Sequence, residues 1–187
     1  MIMSYLKEKR IIGLVVMLTL SLASLASLPS ASASDNPHEP QLPSPLCDGV
    51  QAPTEVRVSH HFYARGVQIY QWNGVAWSFV APMATLYASP NYKGQVGLHY
   101  AGPTWESNDG SKVVASRVEG CSPDPTAVPW LLLQTVSTQG PGIFACVSHV
   151  QRINTAGGLA PATPGSSVGE TAEVPYTAEY YTYRATE

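Results

Sequence analysis

From Glu55 onward no window of this chain keeps a helical period, and that most narrows what it can fold into. Short segments rich in Val, Ile, Tyr, Phe, Trp and Thr alternate with clusters of Gly, Pro, Asn and Asp, the pattern of an all-β domain. Glu55 to Ala64 sets Val56, Val58, His60 and Phe62 on one face and Arg57, Ser59, His61 and Tyr63 on the other. Gly66 opens a second run, Val67 to Trp72, and Asn73-Gly74 supplies the positive-φ residues of a tight hairpin leading into Val75 to Val80. Further strands are expected at Thr85 to Ala88, Gln95 to Tyr100, Lys112 to Val118, Trp130 to Val136, Ile143 to Asn154 and Val174 to Tyr183. Asp109-Gly110 provides a second hairpin turn, between the Trp105 segment and the Lys112 segment. About eight or nine strands suit a single-domain β-sandwich or a closed β-barrel, and the sequence leaves the two open.

The N-terminus is of another kind. Lys7, Lys9 and Arg10 precede an apolar run from Ile11 to Ala26, and Ala31-Ser32-Ala33 offers small residues for cleavage, so residues 1–33 read as a secretory signal peptide. The run is shorter than the ~20 residues that a spanning helix requires, and no transmembrane anchor is expected after cleavage. An exported product, periplasmic or extracellular, follows. Residues 34–53 carry Pro37, Pro40, Pro43, Pro45 and Pro53 and read as a flexible, extended lead-in, leaving residues 54–187 as the domain.

The chain has 13 Asp and Glu against 10 Lys and Arg, three of the latter in the leader, so no basic face for nucleic acid is expected. In an oxidising compartment Cys47, Cys121 and Cys146 give one disulfide and one leftover. Cys121 with Cys146 is the favoured pair, since each lies beside an expected strand. The alternative has Cys47 stapling the lead-in to the body, with a buried free cysteine left over.

The densest cluster of chemistry-bearing residues runs from Gly97 to Trp105 and continues into Asp109-Gly110-Ser111-Lys112. Gly102-Pro103 removes a backbone donor and is expected to break or bulge the strand, which would aim His99, Trp105, Asp109 and Lys112 at one end of the sheet. The same cluster also suits a kinked edge strand with a core Trp. Gln151 and Arg152, at the end of a long strand, are added as binding candidates, Arg152 for an anionic group or an internal Glu. A metal site would need His60 or His61 joined by His99 and His149, and with no C-x-x-C spacing no metal is assigned. The G-x-S-x-G elbow and the G-x-G-x-x-G fingerprint are both absent, which argues against a serine hydrolase of that type and against a nicotinamide dehydrogenase. Glu106 and Asp109 straddle a turn and read as solvated rather than as a glycosidase pair. Trp72, Trp77, Trp105 and Trp130 and the tyrosines 176, 180, 181 and 183 are candidate stacking faces, with most of them required for the core. The Gly- and Pro-rich stretch 156–169 reads as a mobile loop.

Taken together, Gly66-Val67-Gln68-Ile69-Tyr70, Trp77 to Pro82, the His99 to Trp105 cluster, Asp109 to Lys112, Pro129 to Leu133, Gln151 to Gly158 and Val174 to Ala178 resemble the family catalogued as domain of unknown function 3455. The likeness extends from about Thr54 to Arg184 with the motifs in order. It implies an exported protein without an assigned activity. Some fungal relatives carry a malate dehydrogenase label, which the missing dinucleotide fingerprint does not support in this chain. Relatives commonly have a Cys just after the Gln-Ile-Tyr motif and another after the Gly-Gly-x-Ala-Pro loop, where this chain has Trp72 and Thr163-Pro164. The resemblance thus implies a loop that has lost a staple and is looser here, with Cys121 and Cys146 as a replacement.

The expected function is binding of a small molecule, a glycan or an envelope partner near His99, Trp105 and Arg152, with the cofactor unknown. The alternatives are a secreted hydrolase or metal-dependent enzyme using His99 with Asp109 or a second His, and a structural envelope protein.

Overall fold

The computed structural model describes residues 38–186, so the expected leader 1–33 lies outside the described residues. Eight strands follow in chain order: β1 (Val56–Trp72), β2 (Trp77–Tyr87), β3 (Gln95–Tyr100), β4 (Thr104–Ser107), β5 (Lys112–Cys121), β6 (Trp130–Gln139), β7 (His149–Gly157) and β8 (Thr171–Ala185). Each pairs antiparallel with the next, and β8 returns to β1 along a ladder from Val56 opposite Ala185 to Gln71 opposite Thr171, closing a barrel. Closure removes the free edges that a sandwich of these strands would leave. No helix among the described residues is long and apolar enough to cross a membrane, a statement that does not bear on membrane-spanning strands.

Two breaks expected from the sequence are absent. β1 runs through Gly66, because a side chain there would collide with the Met83 carbonyl and Ala84 of β2, and glycine lets the two strands close up. β2 likewise joins the two expected segments on either side of Pro82 into one strand. Both hairpin turns lie where expected but are longer. Asn73 Oδ1 accepts hydrogen bonds from the Val75 and Ala76 amides to shape residues 73–76, and Gly110 N–H donates to Ser107 O within residues 108–111.

The strand expected at Ile143 starts only at His149. Residues 143–147 instead form a turn that drives Phe144 and Val147 into the barrel. Glycines 140 and 142, both at positive φ, set its direction. Asp109 accepts from Ile143 N–H at 2.9 Å, and Phe144 N–H donates to Ser111 Oγ at 3.1 Å. Phe144 meets Phe62 of β1 edge to face, while Trp105 on β4 meets Tyr180 on β8 with ring centroids 5.4 Å apart. Contacts between such distant strands cross the barrel interior.

A second apolar layer lies on the outer face. Leu132 and Leu133, like Tyr180 and Tyr181, are chain neighbours that belong to different clusters, as strand alternation requires of opposite faces. Val56, Val58, Cys121, Trp130, Leu132, Ile153, Tyr181 and Tyr183 form the outer cluster, and Cys47, Val50 and Ala52 cover it. The lead-in is therefore not a loose tail: from about Leu42 it is a strap, with a single 3₁₀ turn at Asp48–Val50. This corrects the cysteine pairing as well. Cys47 is bonded to Cys121 with Cα atoms 5.4 Å apart, and Cys146 is free and exposed. Cys121 ends β5 on the outer face, beneath the strap, whereas Cys146 sits in the β6–β7 connection at the other end of the barrel.

Candidate functional site

Beside the turn that joins β3 to β4, the interior is not filled. A cavity of about 150 Å³ lies between β2, β3, β4, β5, β6, β7 and β8, with Phe79, Val80 and Arg117 exposed at its rim and His99, Trp105 and Tyr180 buried in its wall. Leu131 and Leu133 of β6 and Arg152 of β7 complete it. Gly102, at φ +95°, belongs to the β3–β4 turn, so the expected break is a hairpin turn rather than a bulge. The bulges fall instead at Val80 on β2 and Val118 on β5, each left without a register partner beside the cavity. An extra residue there bends the strand away from regular closure and leaves room inside.

His99 and Trp105 face each other across the β3–β4 ladder and stack with centroids 4.2 Å apart. Tyr180 packs edge-on against both. His99 Nδ1 donates to Thr104 O at 2.9 Å, and Nε2 makes no hydrogen bond among the described residues. Burial, reinforced by the Arg152 charge, lowers the His99 pKa to about 3 despite that carbonyl, so the imidazole is neutral. Trp105 Nε1 is buried without a partner. Arg152 stands opposite Tyr180 and Leu131 on its two neighbours, which puts its side chain on the inner face. Its Nε and Nη2 donate to Pro129 O at 3.1 and 2.8 Å, bonds to a neutral carbonyl that leave the charge unbalanced.

The sequence model of a family described as a protein of unknown function (DUF3455) matches residues 53–184. The chain belongs to the DUF3455 family. The match covers every strand down to Arg184 and all the cavity residues named above, but begins after most of the strap. No curated protein and no solved structure matches the chain.

Of the residues the sequence singled out, this DUF3455 barrel brings together His99, Trp105 and Arg152 and separates the others. Gln151 faces outward and is fully buried under the strap: its Nε2 donates to Val50 O at 2.7 Å and its Oε1 accepts from Tyr183 OH at 2.9 Å. Asp109 and Lys112 lie at the far end of β4. Asp109 braces the Phe144 turn, and the Ser111 hydroxyl, helped by the Ile143 and Ser111 amides, holds its pKa down to about 2. Glu106 accepts from Tyr100 OH and pairs with Lys112 at 3.2 Å, and the Tyr100 hydrogen bond followed by Lys112 depresses its pKa. Neither carboxylate reaches His99, so the expected His99 and Asp109 couple is not assembled.

Among the described residues, no three His, Cys, Asp or Glu side chains converge as a metal cluster would. His61 instead bonds Glu179 on β8 at 2.6 Å and stacks on Tyr181. The tyrosines expected to offer an exposed face do not, since Tyr181 and Tyr183 are covered by the strap and Tyr176 and Tyr180 face inward. Nor is the 156–169 loop without anchorage. Trp77 Nε1 donates to Thr163 O, Gly169 N–H donates to Trp72 O, and Trp72 packs against Trp77 with the rings tilted at 60°. Aromatic packing thus holds the stretch where the resemblance implied a missing staple. Sequence reasoning missed Arg117 as a cavity residue, while Tyr180 was among the candidate stacking faces and does line the cavity. The available signal was the alternation of Val113, Ala115 and Arg117, which puts a charge on an inward face.

Proposed function

We propose that this is an exported binding barrel that takes one small organic molecule into the cavity walled by His99, Trp105, Tyr180 and Arg152. The observation that carries the reading is an unfilled interior site walled by His99, whose Nε2 makes no hydrogen bond among the described residues, and by Trp105, whose Nε1 is buried without a partner, beside an uncompensated guanidinium. Buried polar groups are normally satisfied, and exceptions concentrate where a ligand or water completes them. The mostly apolar lining disfavours a glycan, which needs many polar partners. The Cys47–Cys121 disulfide supports export, because such bonds persist in oxidising compartments.

Native mass spectrometry of protein recovered from its own compartment tests the reading. A bound mass that is lost on denaturation, and absent from a Leu133→Trp variant with a filled cavity, supports it. Equal native and denatured masses, with no thermal shift from any one-ring probe, would sink it. A second reading, an enzyme with His99 as proton acceptor, draws on its free Nε2 alone, since a pKa of about 3 makes that nitrogen a weak base and the Asp109 partner first expected is not in reach.

A further inference from the structure

Two guanidinium groups line the cavity, Arg152 and Arg117, and its lining contains no Asp or Glu. No ion pair engages either arginine among the described residues. His99 is neutral and adds no positive charge of its own. The remaining wall is apolar or aromatic: Phe79, Val80, Pro82, Trp105, Leu131 and Leu133. A volume of about 150 Å³ matches an engineered apolar cavity that takes up benzene, so it has room for a body of roughly one ring and not for a long acyl chain.

We propose that the ligand is a small organic carboxylate, with its charge met by Arg152 and Arg117 and its compact apolar body set against Trp105 and Tyr180. The proposal rests on the binding reading above and adds the ligand's charge and size. A planar guanidinium fork matches the two oxygens of a carboxylate, and removal from bulk water strengthens the attraction. Arg152 is held in place before any ligand arrives, because Pro129 O fixes its Nε edge and Leu131 and Tyr180 flank it in register. Arg117 sits opposite Leu133 on the next strand pair, one residue before the Val118 bulge, at the exposed rim. An entering anion meets Arg117 first and Arg152 deeper in. His99 Nε2, 97 % of whose residue is shielded from solvent, offers an acceptor to any hydroxyl or amide the ligand carries.

The test compares benzoate, benzamide and benzylamine by calorimetric titration of the disulfide-bonded protein at low ionic strength. These probes share a ring and differ chiefly in charge. The expected result is a preference of at least about tenfold for benzoate over benzamide, no binding of benzylamine, and loss of that preference in Arg152→Met. Because Arg152 also braces Pro129, the exposed Arg117→Met variant is titrated as well, and it should weaken benzoate binding severalfold while leaving benzamide unchanged. Benzamide binding as tightly as benzoate, or a benzoate affinity indifferent to both arginines, would overturn the carboxylate assignment and leave small-molecule binding standing. If none of the three probes binds to folded protein, both the carboxylate and the cavity reading fall.

Discussion

The two faces of the sheet at Gln151 and Arg152 treat their polar groups in opposite ways. On the outer face Gln151 has both ends of its amide matched inside the protein, by Val50 O and Tyr183 OH, beneath a strap locked by Cys47–Cys121. On the inner face, one residue further along, Arg152 keeps an unbalanced charge, and nearby His99 Nε2 and Trp105 Nε1 lack partners. A buried polar group left unmatched costs about 1–3 kcal/mol, so the outer face is organised for stability and the inner end retains a defect that a ligand can relieve. On the proposed binding reading, stability and binding fall on opposite sides of one strand.

The largest effect that would test this division comes from the strap. Cys47→Ser with Cys121→Ser opens a loop spanning 74 residues in sequence, for which chain entropy gives a loss of about 4 kcal/mol. Denaturant unfolding should show a much lower midpoint, while ligand affinity of the still-folded fraction stays unchanged. Cys146→Ser, at the free exposed cysteine, should leave the midpoint where it was. A fall in affinity equal to the fall in stability would show that the strap shapes the cavity and that the two faces are not independent. Gln151→Leu comes next, stranding Val50 O and Tyr183 OH together at a cost of about 2 kcal/mol. The same measurement checks it, again with no change at the cavity.

Much of this division was legible in the sequence, and its failures have physical causes. Period-two alternation and turn residues indicated an all-β domain, and the density of unusual residues around His99 and Trp105 fell on a strand pair that walls the cavity. Alternation also contained the split of Gln151 from Arg152, since consecutive strand residues face opposite ways, yet which face was interior depended on closure. The strap was hidden because its prolines read as disorder. Its burial depends on Tyr181, Tyr183 and Val58 presenting an outer apolar layer, a feature visible only once the barrel's inside is known. Asp109 and Lys112 were grouped with His99 by nearness in sequence, but β4 places the two turns at opposite ends.

A smaller effect separates the faces by pH. The unfolded His99 titrates near 6.5 and the folded one near 3, so between those values the unfolded state binds more protons and stability must fall as pH is lowered. The slope contributed by this group is up to about 1.4 kcal/mol per pH unit in the window from 6.5 down to 3, and vanishes above it. His60, lowered by burial and by Arg184, and His149, lowered by burial, act in the same direction. Thermal unfolding of His99→Gln against the unaltered protein from pH 7 to pH 4 isolates the His99 share, and parallel curves would show that His99 is charged in the folded protein. A protonated imidazole would also change the cavity's charge, so benzoate titrations over the same pH range report on the same group.

The smallest effect expected is at Lys112. Its ammonium reaches Glu106 at 3.2 Å, a pairing of neighbours on the β4–β5 ladder that is partly open to water, where such pairs contribute little. Lys112→Met should leave the unfolding midpoint unchanged within experimental error. It should also leave benzoate affinity unchanged, because Glu106 neutralises the charge and β4 separates it from the turn beside the cavity. If Lys112→Met does weaken anion binding, the positive field that draws the ligand extends along the outer face of β4 and β5. The site would then not be confined to the inner end of the barrel, and the contrast between Gln151 and Arg152 would describe only its deepest part.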